Sequence, residues 1–223
     1  MRKHSASGSS RTSSAPDLET RERLLKAAER LFAERGFKNV TVRDICRAAR
    51  ANVAAVNYYF GDKQGLYREV LRMAIDVVRE TTEAGRRAGE GRPPEEKLER
   101  YFRIFLTRVT AAGHENLHHL IQREIDDPTA ALDAFVEEAV RPRMEYIASI
   151  VVEIIGGEPT DPHVLRCVGS ILSQAIMYVR IRNPIAERLG FTFEATPAEI
   201  DEAARHIAAF SLAGVRAVAV QRA

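Results

Sequence analysis

The chain is 223 residues long, 45% hydrophobic and 29% charged, with a formal net charge of +2; such a length suits one small domain joined to one of ordinary size. No uncharged apolar run approaches the roughly 18 residues of a membrane span, and the opening MRKHSASGSSRTSSAPD lacks the apolar core of a secretory signal. Cys46 and Cys167 stand far apart in no metal-like spacing, which points to two reduced, packed thiols in a cytoplasmic chain rather than to a disulfide or zinc framework.

The small net charge hides an asymmetry. Residues 1–70 hold 14 Lys/Arg against 8 Asp/Glu, a net of +6, whereas residues 71–223 hold 19 against 23, a net of −4. A basic front on an acidic body implies that the first part meets a polyanion.

In chain order, residues 1–18 read as a basic, serine-rich tail. Leu24, Leu25, Ala28, Leu31 and Phe32 then share one face of a first helix, closed by Gly36. TVRD opens a second helix, with Thr41 as cap and Asp44 reaching back, and with Val42, Ile45, Cys46 and Ala49 inward. Asn52 caps a short third helix, on which Val56 and Phe60 share the inner face. Gly61-Asp62 ends it and opens a fourth, from Lys63 to about Glu83, before the loop AGRRAGEGRPPEE. Pro94 starts a helix with an apolar stripe of Leu98, Tyr101, Phe102, Phe105, Leu106 and Val109, and another helix covers Glu115–Ile125. A long helical stretch follows, kinked or divided by Pro142. Asp161-Pro162 opens a helix that stops before Asn183-Pro184, and Thr196, Pro197 and Glu199 open the last one. No alternating strand pattern is present, so the fold class is all-α.

Three short helices with a tight turn between the second and third match a helix-turn-helix. Val53, Ala54, Ala55, Asn57, Tyr58 and Tyr59 fall on the outward side of the third helix. Small residues there let a backbone approach base edges; Asn57 can pair with adenine and the alanine methyls can meet thymine methyls. The hydroxyls of Tyr58 and Tyr59 and the charge of Lys63 suit phosphates. Thr41 and Asn52 serve as caps whether or not they touch DNA.

The stretch TRERLLKAAERLFAERGFKNVTVRDICRAARANVAAVNYYFGDKQGLYREVL resembles the N-terminal domain of the TetR family of bacterial transcriptional regulators. That resemblance implies a helix-turn-helix domain over residues 19–66 on a larger helical effector-binding and dimerisation domain over residues 67–223. The homodimer it implies is joined through its last two long helices. By motif position Thr41 would touch phosphate, Arg43 and Asn57 would reach base edges, and Tyr58, Tyr59 and Lys63 would hold phosphates, with Asn52, Val53, Ala54 and Ala55 alongside. Arg50 replaces the usual turn glycine, which argues against a positive φ in that turn. The body, through LIQREIDDPTAALDAFVEEAVRPRMEYI and SILSQAIMYVRIRNPIAERLG, resembles the CecR-like subgroup.

These readings converge on a ligand-responsive DNA-binding repressor, neither enzyme nor membrane protein, needing no cofactor or metal. Its partners would be a palindromic double-stranded operator and an apolar or amphipathic small molecule. Phe102, Phe105, His118, Met144, Met177 and Tyr178 are candidates to line the ligand site, although such phenylalanines, methionines and tyrosines are more often core. Gly169, Ser170 and Ser173 could permit close packing across a dimer seam. One motif favours another class: His114-Glu115-x-x-His118 fits a zinc hydrolase, with two histidines one turn apart and a glutamate base. It has neither a G-x-x-H continuation nor a strand to hold substrate.

Overall fold

The structure, a computed structural model, describes residues 15–111, 113–180, 188–190 and 193–220, and every regular element among them is helical. In order these are α1 Ala15–Arg35, α2 Val42–Ala49, α3 Val53–Phe60, α4 Lys63–Gly89, α5 Pro94–Val109, α6 Glu115–Asp126 and α7 Leu132–Phe135. A π-helical turn, Val136–Val140, leads into α8 Arg141–Ile155, and α9 Pro162–Arg180 and α10 Pro197–Val220 follow. The chain divides into two units, Met1–Val70 and Leu71–Ala223, with α4 continuous through the division. Residues 1–14 of the expected tail lie outside the described residues, as does the expected stop at Asn183-Pro184. Residues 15–18, read as the end of that tail, form the first turn of α1 instead.

In the first unit Leu24, Ala28, Leu31 and Phe32 are buried at helical spacing, as their periodicity predicts. Gly36, at φ +77°, turns the chain out of α1 with its N–H on Phe32 O at 2.9 Å. A complete capping box opens α2: Asp44 N–H donates to Thr41 Oγ1 at 3.2 Å and Thr41 N–H donates to Asp44 Oδ2 at 3.1 Å. Ile45, Cys46 and Ala49 face inward, while Val42 stays half-buried. Phe32, Phe37 and Tyr67 join in one aromatic cluster, Tyr67 meeting Phe32 edge-on at 5.1 Å.

The turn between α2 and α3 corrects an expectation. Lacking glycine, it nevertheless adopts left-handed backbone, with Arg50 at φ 51° and ψ 47°. The flanking structure over-determines it. Ala49 is buried, Ala51 N–H closes on Cys46 O at 2.9 Å, and the Arg50 side chain is exposed. A non-glycine residue there costs about 1–2 kcal/mol.

The second unit is built around α5, whose Leu98, Tyr101, Phe102 and Leu106 are fully buried among Ile147, Ile150 and Val151 of α8, Val164, Val168 and Ile171 of α9, and Ala204 and Ile207 of α10. Arg103–Asp201 at 2.6 Å and Lys97–Glu153 at 2.5 Å tie α5 to α10 and α8 at the surface; such partly exposed pairs are worth at most about 1 kcal/mol each. By length and composition alone α10 could cross a membrane. Its inner residues Ala204, Ile207, Leu212 and Val215 pack in the helical core.

Two boundaries differ from the sequence reading. The helix expected to end near Glu83 runs six residues further, to Gly89, so much of AGRRAGEGRPPEE is helix. Its glycines are contact points rather than breaks: a Cβ on Gly85 would lie 2.5 Å from Tyr101 Cδ2, and one on Gly89 2.8 Å from Tyr146 Oη. The expected interruption at Pro142 is present as a π-helical turn ending at Val140. It lies one turn before the proline, where the missing N–H and the ring disturb the ladder.

Replacing Arg50 with glycine relieves the left-handed strain, and urea unfolding should show the Arg50→Gly variant more stable by about 1 kcal/mol. An unchanged or lower midpoint would contradict this account of the turn. Gly85→Ala tests the α4–α5 contact. Helix propensity favours alanine by about 1 kcal/mol, but the Tyr101 ring is held between Phe102 and Tyr146 and cannot yield. Overpacking at about 1–3 kcal/mol should therefore win, and a stabilised variant would refute the close approach.

Candidate functional site

In α3 one residue of eight, Val56, is buried. Phe60 is half-buried, with the Arg21 guanidinium 5.4 Å from its ring centroid. Asn52 caps the helix by accepting Ala54 N–H on Oδ1 at 2.9 Å, so only its Nδ2 could donate outward. What remains outside is a short, uncharged surface: Val53, Ala54, Asn57 and Tyr58 are exposed and Ala55 is half-buried. Tyr58 is 67% exposed and thus no part of the core. Arg43 on α2 is exposed as well.

Three of the phosphate candidates are already engaged. Thr41 Oγ1 donates to Asp44 Oδ2 at 2.6 Å, and this bond, with the one from Thr41 N–H, holds the Asp44 carboxyl below its ordinary range. Tyr59 is half-buried and donates its hydroxyl to Asp17 at 3.1 Å; burial first, then this bond, pushes its phenol up. The Lys63 ammonium stands 4.3 Å from the Phe37 ring centroid, and burial lowers its pKa. Tyr59 and Lys63 would each exchange an internal contact for a phosphate.

The second unit contains a cavity of about 240 Å³ walled by α4, α5, α6, α8 and α9. Phe102, Phe105, His118 and Met144, expected as lining, all reach it. Met177 and Tyr178 do not: Met177 is 57% exposed, and Tyr178 packs edge-on against Phe193 at 5.2 Å. Helical phase explains the miss, since Leu172, Ala175 and the partly exposed Ile176 are the α9 residues that reach the cavity. The sequence reading also omitted Arg108 and Arg143, which both line the wall. Arg143 lies four residues before the buried Ile147 and seven before Ile150, so its place on the apolar face was detectable from spacing. Its Nε is buried without a hydrogen-bond acceptor, while its guanidinium lies 5.2 Å from the Phe105 ring centroid.

The HENLH motif opens α6. His114 is the N-cap of α6, with Nδ1 2.8 Å from Arg108 O, and both His114 and His118 border the cavity. Among the described residues no three His, Cys, Asp or Glu side chains gather as metal ligands.

Residues 24–70 match the model of the bacterial regulatory proteins of the tetR family, and residues 94–215 match that of the C-terminal domain of the HTH-type transcriptional dual regulator CecR. The chain is 26% identical over 183 residues to CecR of Shigella flexneri, an alignment covering 78% of this chain and 82% of that one. Among solved structures it resembles the TetR-family regulator PfmR of Thermus thermophilus, with TM-score 0.63, 21% identity and coverage of 86% and 95% of the two chains. The ketosteroid transcriptional regulator KstR2 of Mycobacterium tuberculosis gives TM-score 0.62 at 21% identity, covering 87% and 93%. These relatives are transcriptional regulators rather than enzymes, which sets the hydrolase reading of HENLH aside. The basic helix-turn-helix front and the helical body thus identify the chain as a member of the TetR family of transcriptional regulators, with a CecR-type C-terminal domain.

Proposed function

We propose that the chain is a ligand-responsive repressor that binds a palindromic operator as a homodimer and loses affinity when a small apolar or amphipathic molecule fills the cavity. The observation that carries this reading is the outward face of α3, where small residues, one amide and one phenol are exposed side by side. Asn57 would pair with adenine while Ala54, Ala55 and Val53 lie against thymine methyls, and Arg43 would reach a base edge from α2. Thr41, Asn52, Tyr58, Tyr59 and Lys63 would fix the register on phosphates. Two copies of α3 would enter successive major grooves, roughly 34 Å apart.

The outer face of the last two long helices supports dimerisation. Leu165 on α9 and Phe210 on α10 are exposed apolar side chains, and a Cβ on Gly169 or Gly214 would meet nothing within 4 Å. Large apolar groups beside such gaps suit a seam with a second copy. Ligand binding then shifts the dimer between states of different DNA affinity, a coupling typically of about 1–3 kcal/mol. One comparison favours a second reading: the Shigella relative is a dual regulator. The same DNA contact would then activate or repress according to where the operator falls.

The test begins with selection of preferred duplexes from a random pool by the full chain, followed by fluorescence anisotropy near physiological salt. The selected duplex should be palindromic, bind two chains by light scattering and outcompete a scrambled one. Asn57→Ala should cost about 1–3 kcal/mol at the selected base and little on the scrambled duplex. Equal, salt-sensitive binding to both duplexes would reduce the first unit to a basic surface without readout.

A further inference from the structure

Among the described residues two arginines, Arg108 and Arg143, and two histidines, His114 and His118, line the cavity and no Asp or Glu does, although residues 71–223 are net acidic. Most of this polarity is already committed. Arg108 pairs with Glu80 at 3.7 Å, and His114 Nδ1 is on Arg108 O. Arg143 differs, since its Nε is buried and has no acceptor. Arg141, two residues earlier, shows the alternative: its Nε and Nη2 both reach Glu137 at 2.7 Å.

A guanidinium N–H withdrawn from water without an acceptor is a standing cost to the fold. It becomes an asset only if something brings an oxygen to it. We propose that the cavity is built for an apolar carboxylate, whose head accepts Arg143 Nε–H and whose body lies along Phe102, Phe105, Met144 and Leu172. This rests on the reading of the cavity as the effector site and names the chemistry of that effector. A single negative charge is what the wall can match, because Arg108 is already paired. A planar carboxylate also fits the fork of a guanidinium better than a hydroxyl does. Stacking over Phe105 holds the guanidinium in place before the ligand arrives.

Isothermal titration calorimetry on the full chain tests this with matched pairs: octanoate against octanol, and phenylbutyrate against phenylbutanol. The acid of each pair should bind about tenfold or more tightly than its alcohol. Arg143→Met should bring the two within about twofold by weakening the acid and leaving the alcohol unchanged, with circular dichroism showing an intact helical fold. Leu172→Trp, which grows into the cavity, should abolish binding of both. Equal affinity of acid and alcohol for the unmodified chain overturns the carboxylate assignment; alcohol binding blocked by Leu172→Trp would then leave the effector cavity standing. An acid preference that survives in Arg143→Met overturns it too. Binding of neither member of either pair overturns the carboxylate and the cavity reading together. The acid–alcohol comparison on the unmodified chain needs no variant to fold.

Discussion

A helix of eight residues does not hold itself together in water; isolated helices shorter than about 12–15 residues are marginal. α3 is that short, and a single fully buried side chain, Val56, pins it. Everything else that fixes it is at its ends. Asn52 satisfies an orphan N–H at the start, Gly61 closes on Asn57 O at 3.1 Å, and the left-handed turn at Arg50 sets the angle of entry. The constraint explains the sequence of the helix. With Val56, the caps and the half-buried Tyr59 and Phe60 holding the helix, Val53, Ala54, Asn57 and Tyr58 stay exposed and can be chosen for what they meet outside. Small groups, an amide and a phenol would be a poor solvent surface, and they are a workable groove-facing one.

The second unit solves a different problem, keeping a cavity open beside a tightly packed aromatic cluster. Tyr101 lies against Phe102, Phe105 and Tyr146, and Gly85 lets α4 approach that cluster without a side chain in the way. Tyr146 donates to Gly85 O at 3.2 Å, and burial pushes its phenol up to about 12, so it stays a neutral donor across the physiological range. The Tyr146 side of the cluster is therefore closed by a hydrogen bond to α4. The other side opens on the cavity, which Phe102 and Phe105 both line, with the Arg143 guanidinium over the Phe105 ring. A rigid wall of this kind gives a ligand a shape to match without reordering the core.

Features set by neighbouring residues were legible in the sequence, and features set by distant ones were not. Thr41 with Asp44, and Thr196 with Glu199, announce helix starts because the partners are three residues apart, and both form as expected. Periodicity marked the stripe from Leu98 to Leu106 for the same reason. Gly85 and Gly89 read as a loop because their role depends on Tyr101 and Tyr146. Arg50 looked incompatible with a positive φ, which only the surrounding turn could impose. Tyr59 looked available, yet its partner Asp17 is 42 residues away. Met177 and Tyr178 lie one or two positions out of phase with the cavity.

The central claim is that the exposed face of α3 is the surface that meets DNA. Amide hydrogen exchange on the full chain, with and without a saturating selected duplex, addresses it most directly. The account predicts that protection gained on binding concentrates between Thr41 and Lys63, with the amides of Val53–Tyr59 slowed most. Unchanged exchange across α3, with new protection confined to α5–α10, would contradict it and move the nucleic-acid contact to another surface.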